Sequence, residues 1–278
     1  MTMRNMEQTS DERVVLMVST YAGAAHFIPH VREALAEMWP GHPPLRFLTD
    51  GGAAGPDVIL GSNRAFVPLM AQGLSAIRKE FPGATHVFHM LEDHCPLRRC
   101  EEDHINAGIR AALTGELPAV VFVTYEWLPY FSNEIAEIAG EKLIVLPKSY
   151  FRYYQVQPTL WRIDYLERVL GEAERRGISD PWSFEAMQLD NVERHLISKY
   201  SWPTVHHGFL TQGKIHHRAI DYADREAKCG IRTALLRELV GVDSEAFYRL
   251  HRFMTWLASL PPRLRAKLSK LRKPVDVS

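Results

Sequence analysis

The first half of the chain alternates short, wholly apolar runs with amphipathic helical stretches, and few folds accommodate that rhythm. Residues 14–20, VVLMVST, form a continuous apolar run of buried-strand length. FIPHVREALAEMW follows, with Ile28, Val31, Leu35 and Met38 at helical spacing. PLRFLTDGG is a short second strand ending in Asp50 and two glycines. AFVPLMAQGLSAIRKEF is again amphipathic, THVFHMLEDHCPL reads as a strand, HINAGIRAAL as a helix and AVVFVTY as a strand. The alternation predicts an α/β domain with a mainly parallel sheet between helix layers. In such sheets ligands sit beyond the carboxyl ends of the strands. Ser19, Thr20, Tyr21, Asp50, Glu92 and Asp93 all fall there.

The pattern changes after residue 140. KLIVLP and YYQVQPTLW read as irregular strands, and IDYLERVLGEAERRG as a helix. SDPWSFEAMQLDNVERHL opens another helix, with Asp180 as N-cap and Pro181 at the first position. From about residue 219 the chain reads as helical and increasingly basic. Two units are expected, a catalytic domain over 1–240 and a helical basic extension over 241–278.

Lys plus Arg and Asp plus Glu each total 33, so no global field points to nucleic acid. Three cysteines, without CxxC spacing, make neither a disulfide framework nor a structural zinc site. The first 13 residues lack the apolar core of a signal peptide, and no apolar run approaches the roughly 18 residues of a membrane span. The expectation is a cytoplasmic protein, or one resting on the inner face of a membrane.

No GxxxxGK[ST], GxGxxG, GxSxG or HExxH motif is present. Any bound phosphate is therefore expected to meet a cation that carboxylates hold. Asp and Glu oxygens suit Mg²⁺ or Mn²⁺, and Mn²⁺ also tolerates an imidazole. On an extended strand Glu92 and His94 would share one side and Asp93 the other, so Asp93 is the first choice as ligand. Capping of a strand end by the same acids is the plain alternative.

VFHMLEDHCPL, YYQVQPTLWRIDYLERVL and DPWSFE, in this order, resemble three landmarks of bacterial glycosyltransferases of the GT-A fold that build surface and capsular polysaccharides. The likeness runs through roughly residues 14 to 215. It implies a GT-A-like nucleotide-binding sheet and transfer of a sugar from a nucleotide-sugar donor to a glycan or lipid-linked acceptor. It implies Asp93 as metal ligand, with His94 and His207 as further ligands. Ser19, Thr20, Tyr21, Asp50, Glu92, Gln157 and Lys214 would contact the donor. Trp182 and Phe184 would wall the acceptor, and Glu185 would be the general base, with inversion as the outcome. The usual signature is Asp-x-Asp, where this chain has Glu92-Asp93-His94. A nucleotidyltransferase is the first rival, although STYAGAAHF lacks the basic residue its loop would carry. A non-catalytic nucleotide- or sugar-binding protein is the second.

The C-terminal FMTWLASLPPRLRAKLSKLRKP carries Arg263, Arg265, Lys267, Lys270, Arg272 and Lys273, with Leu264, Leu268 and Leu271 on one helical face. That composition suits an anionic membrane surface, and equally a solvated tail.

Overall fold

Strand β1 (Val14–Ser19) is buried along its whole length, and its alternating side chains feed two separate cores. Val14, Leu16 and Val18 face one helix layer, whereas Val15 and Met17 face the other. A strand that buries both faces must be apolar at every position, which is why this segment shows no polar alternation. The computed structural model describes residues 13–122, 134–148, 150, 152–189, 193–200, 202–204, 210–211 and 214–215, the last two pairs by backbone alone.

Helix α1 (Ile28–Met38) connects β1 to β2 (Leu45–Thr49), and β3 (Val58–Leu60) follows. Helix α2 (Phe66–Glu80) returns the chain to β4 (His86–Leu91), and α3 (Glu102–Thr114) leads on to β5 (Ala119–Val121). The apolar faces of α1 and α3 share one core, with Leu35 and Ile109 among its members. The other core joins α2 to α4 (Ile163–Arg175), through Leu74, Ile77, Leu166 and Leu170. The sheet is therefore covered on both faces, as the alternation of strands and helices requires.

The remaining strands are β6 (Ile135–Ile138), β7 (Glu141–Val145), β8 (Thr159–Arg162) and β9 (Leu196–Ile197). A two-stranded hairpin of β10 (Leu210–Thr211) and β11 (Lys214–Ile215) stands apart, and α5 (Pro181–Ala186) lies between β8 and β9 in sequence. The nine-stranded sheet has the order β3-β2-β1-β4-β8-β5-β9-β7-β6.

This sheet is mixed, which corrects the expectation of a mainly parallel one. The pairs β1–β2, β1–β4, β2–β3 and β5–β9 are parallel, and β4–β8, β5–β8, β6–β7 and β7–β9 are antiparallel. The alternation with helices, from which parallel pairing follows, stops after α3. Beyond it β8 inserts between β4 and β5, and β6–β7 closes as a hairpin that needs no crossover. Its turn residues Ala139 and Gly140 have φ of 52° and 81°.

Two further expectations are corrected. YYQVQP is not a strand, because β8 starts only at Thr159. The helix opened by Pro181 ends at Ala186 rather than running on through the Asn191 region. The basic C-terminal segment lies outside the described residues, and no described helix is long and apolar enough to cross a membrane.

Candidate functional site

The chain leaves β1 outward through β2 and β3, then returns to lay β4 on the other side of β1. Parallel neighbours whose connections depart in opposite directions leave a crevice beyond their carboxyl ends. A cleft of about 470 Å³ opens at this point, lined by residues of the β1 end, the β4 end and the α2 start. A volume of that size is within the range of small-molecule sites.

Ser19, Thr20 and Tyr21 at the end of β1, and Glu92 and Asp93 after β4, all line the cleft. Ser19 is anchored, with its hydroxyl 3.2 Å from Met70 Sδ and 3.0 Å from the buried His89 Nε2. Burial pushes that imidazole down to about 3, so it is neutral at ordinary pH. Thr20 Oγ1 is buried and has no hydrogen bond of ordinary geometry among the described residues, although it lies by the Glu92 carboxyl. Tyr21 is 55% exposed. Asp50 does not line the cleft: its Oδ1 accepts the Ala22 N–H at 2.5 Å and ties down the loop after β1.

The acidic triplet is not extended. Strand β4 stops at Leu91, and Glu92–His94 form a single 3-10 turn. The alternation that would separate Asp93 from its neighbours is thereby replaced, and His94 Nδ1 lies 2.8 Å from Asp93 Oδ1. Glu92 is buried, and desolvation together with the neighbouring Asp93 charge pushes its carboxyl up to about 8. Asp93 keeps 18% of its side chain exposed. Trp202 Nε1 donates to the His94 carbonyl at 2.7 Å, and Thr204 Oγ1 donates to the Cys95 carbonyl at 3.0 Å. These two residues clamp the turn from the segment after β9. Sequence reasoning missed both, because nothing near them in the chain signals a partner about a hundred residues away.

Among the described residues, no group of three or more His, Cys, Asp or Glu converges as a metal cage. Mg²⁺ ordinarily takes one or two carboxylates and fills its shell with water and phosphate oxygens. Asp93, partly exposed in the cleft lining, is a carboxylate of that kind, whereas Glu92 beside it is buried.

The PWSFE element begins at the same cleft, which Asp180 and Pro181 line. Asp180 caps α5 by accepting the Ser183 N–H at 2.9 Å, and these hydrogen bonds hold its carboxyl below the usual range. Trp182 is 62% exposed, and the Arg152 guanidinium lies 5.5 Å from its ring centroid. Phe184 points into the core, its ring 5.8 Å from Phe66 and 5.9 Å from Tyr154. Glu185 is only 2% exposed; its Oε1 accepts the Val156 N–H at 3.1 Å and its Oε2 lies 3.5 Å from Arg152. Burial raises its pKa, opposed by Arg152 and by His94, while Asp93 adds to the rise. Glu185 is not among the residues that line the cleft, although the element that carries it starts there. Gln157 is buried, and its main-chain carbonyl accepts Thr159 Oγ1 at 2.8 Å. His207 and the Lys214 side chain lie outside what is described.

The class that fold and site define is an α/β protein with a mixed nine-stranded sheet and an acid-lined cleft at the switch between its first and fourth strands. No family model and no curated protein matches the chain.

Proposed function

We propose that the protein is a GT-A-like glycosyltransferase that moves a sugar from a nucleotide-sugar donor to a glycan or lipid-linked acceptor. The observation that carries this reading is the meeting of Glu92 and Asp93 with the end of β1 in one cleft of small-molecule size. The parallel order β3-β2-β1-β4 supports it, since such sheets bind nucleotides at this switch point.

In this reading the cleft receives the donor, with Thr20 and Tyr21 against the nucleotide and Ser19 held in the wall by His89. Asp50 acts at one remove, by fixing the Ala22 loop. A divalent ion held by Asp93, with Glu92 and His94 beside it, would supply positive charge to the departing diphosphate. The acceptor oxygen attacks the anomeric carbon from the face opposite the leaving group. Its proton passes to the Glu185 carboxylate, and the electron pair of the broken C–O bond stays on the diphosphate oxygen. The anomeric centre is inverted. Trp182 offers the exposed ring against which an acceptor sugar can pack, and Phe184 supports the element from the core side. The basic C-terminal segment brings the enzyme to an anionic membrane that carries a lipid-linked acceptor.

A panel of nucleotide sugars, assayed for binding and turnover with and without Mn²⁺, tests the reading. The expected result is one donor class that binds and transfers. Asp93→Asn should abolish Mn²⁺-dependent affinity, and Glu185→Gln should keep donor binding while losing about 10²-fold or more in turnover. Binding without transfer to any acceptor would turn the protein into a sugar-nucleotide binder. Transfer at the original rate by Glu185→Gln would make that residue structural.

A further inference from the structure

Arg152 reaches the PWSFE element from a stretch that is neither helix nor strand, and it faces two of the residues that the proposed transfer uses. Trp182 and Glu185 are three apart in α5 and therefore share a face. The Arg152 guanidinium lies against that face, 5.5 Å from the Trp182 ring centroid and 3.5 Å from Glu185 Oε2. It spans a gradient of burial, from the exposed Trp182 ring to the buried Glu185 carboxyl. The turn that presents it is closed by Gln155 Nε2, which donates to the Arg152 carbonyl at 3.0 Å. The next residue is Val156, which donates its N–H to Glu185 Oε1 at 3.1 Å. One short stretch therefore meets both carboxyl oxygens, the first through an amide and the second through a guanidinium.

Independently, Glu185 Oε2 is buried and makes no hydrogen bond of ordinary geometry among the described residues. A carboxylate taken this far out of water is costly unless a cation faces it. Burial raises the Glu185 pKa, and Arg152 is the strongest influence that lowers it, followed by the Val156 amide and His94, while Asp93 raises it. Tyr150 lies within electrostatic reach of both Arg152 and Glu185 and is neutral, because burial pushes its hydroxyl up. Arg152 does not line the cleft, so its contact is with the PWSFE element rather than with the donor's pocket.

We propose that Arg152 is a positioning residue that locks the Glu185 carboxylate and the Trp182 ring into one unit, holding the general base and the acceptor platform in fixed relation. The inference rests on the reading of Glu185 as base and Trp182 as acceptor wall, and it adds the side chain that makes them act together. A general base works only when it is ionised and within hydrogen-bond reach of the proton it takes. Arg152 serves the first need by its charge and the second by fixing the direction of Oε2. A guanidinium keeps its own protons, so the proton that leaves the acceptor oxygen ends on Glu185. Sequence reasoning did not select Arg152, since SYFRYY carries no pattern and its partners lie on another element.

Carbon-13 NMR of the glutamate side-chain carboxyls, with the Glu185 signal assigned by its loss in Glu185→Gln, tests the proposal without any donor. The Glu185 titration midpoint should rise in Arg152→Met and return toward the original in Arg152→Lys, which restores the charge. An unmoved midpoint in Arg152→Met overturns the proposal, whether or not sugar is transferred. If Arg152→Met does not fold, the double variant Arg152→Met/Glu185→Gln should fold, because no buried charge is then left unpaired. A double variant that also fails to fold makes Arg152 a packing residue and overturns the proposal. Transfer is scored separately, on the donor that the panel identifies. Arg152→Met should lose about tenfold or more in kcat at neutral pH and raise the acceptor KM, with the donor KM unchanged. The acid limb of its pH–rate profile should move to higher pH, because the base then needs a higher pH to ionise. Transfer with an unmoved acid limb in Arg152→Met overturns the positioning role and keeps the transferase. A Glu185 midpoint that depends on Arg152, in a protein that transfers no sugar, keeps the unit and overturns the transferase.

Discussion

Trp202 illustrates how far a site residue can lie from the group it controls. Its indole N–H holds the His94 carbonyl, while its ring lies 5.4 Å from Phe88 and 5.6 Å from Trp39 in the core below the acidic turn. Core packing and turn geometry are thus coupled through one side chain. Trp202→Phe keeps most of the apolar contact but strands a buried carbonyl, at a cost of about 1–3 kcal/mol. Urea denaturation should register that loss, and Mn²⁺-dependent affinity for the nucleotide-sugar donor should fall with it, because Asp93, the proposed metal ligand, sits on the loosened turn. Full affinity in the variant would mean that the turn holds its shape without the clamp. Glu92 shows the complementary lesson: burial, together with the neighbouring Asp93 charge, pushes its carboxyl up to about 8.

The β6–β7 hairpin is the element whose local chemistry fits its conformation least. Both turn residues adopt positive φ, the geometry that matches the twist of paired strands, yet the first of them is Ala139 rather than Asn, Asp or Gly. A left-handed alanine costs about 1 kcal/mol, because its Cβ crowds the backbone. Ala139→Asn should therefore raise stability by roughly 0.5–1 kcal/mol, read as a higher midpoint in thermal unfolding. The opposite strain, Gly140→Ala, should lower it, and the cause would be backbone conformation alone, since no atom lies within 4 Å of the added Cβ. Equal midpoints for the three proteins would show that the turn relaxes freely.

At the scale of the whole molecule, three buried histidines make stability depend on pH. Desolvation lowers His86 to about 4, His89 to about 3 and His195 to about 3, from 6.5 in the unfolded chain. Below pH 6.5 the unfolded chain binds protons that the folded chain refuses, so stability falls as pH drops through that window. At pH 5 each histidine costs on the order of 1–2 kcal/mol. Glu92 acts in the other direction: its folded pKa of about 8 exceeds the unfolded 4.5, so its contribution is complete below 4.5 and lost as pH rises through 8. Metal-free protein should be less stable at pH 5 than at pH 7, and Glu92→Gln, which removes the opposing loss between about pH 4.5 and 8, should make that acid decline steeper. Equal denaturation midpoints at pH 5 and 7 would contradict buried neutral imidazoles. The proposed membrane contact of the basic segment over 261–278 is a second prediction at this scale. Six cations near an anionic bilayer contribute about 1 kcal/mol each at low salt. Cosedimentation with vesicles containing anionic lipid should show binding that high salt releases and that removal of 261–278 abolishes. Equal binding by the truncated protein would remove the membrane role.

The hydrophobic periods in the chain determined β1, β2, β4 and the helices that connect them, because a doubly covered strand and an amphipathic helix each write their burial into consecutive residues. They also determined that Glu92 and Asp93 arrive at a strand's carboxyl end. Only the tertiary structure decided that β8 would insert antiparallel between β4 and β5, since strand order depends on contacts between segments far apart. It decided that Glu92–His94 would turn rather than extend, with Trp202 and Thr204 holding the turn and its exit from the segment after β9. It decided as well that Asp50 would brace a loop, that Phe184 would enter the core, and that Arg152 would face the buried Glu185. Local periodicity reports which face of an element is buried. The partner that buries it, and the charge that a side chain keeps there, come from residues the local pattern does not contain.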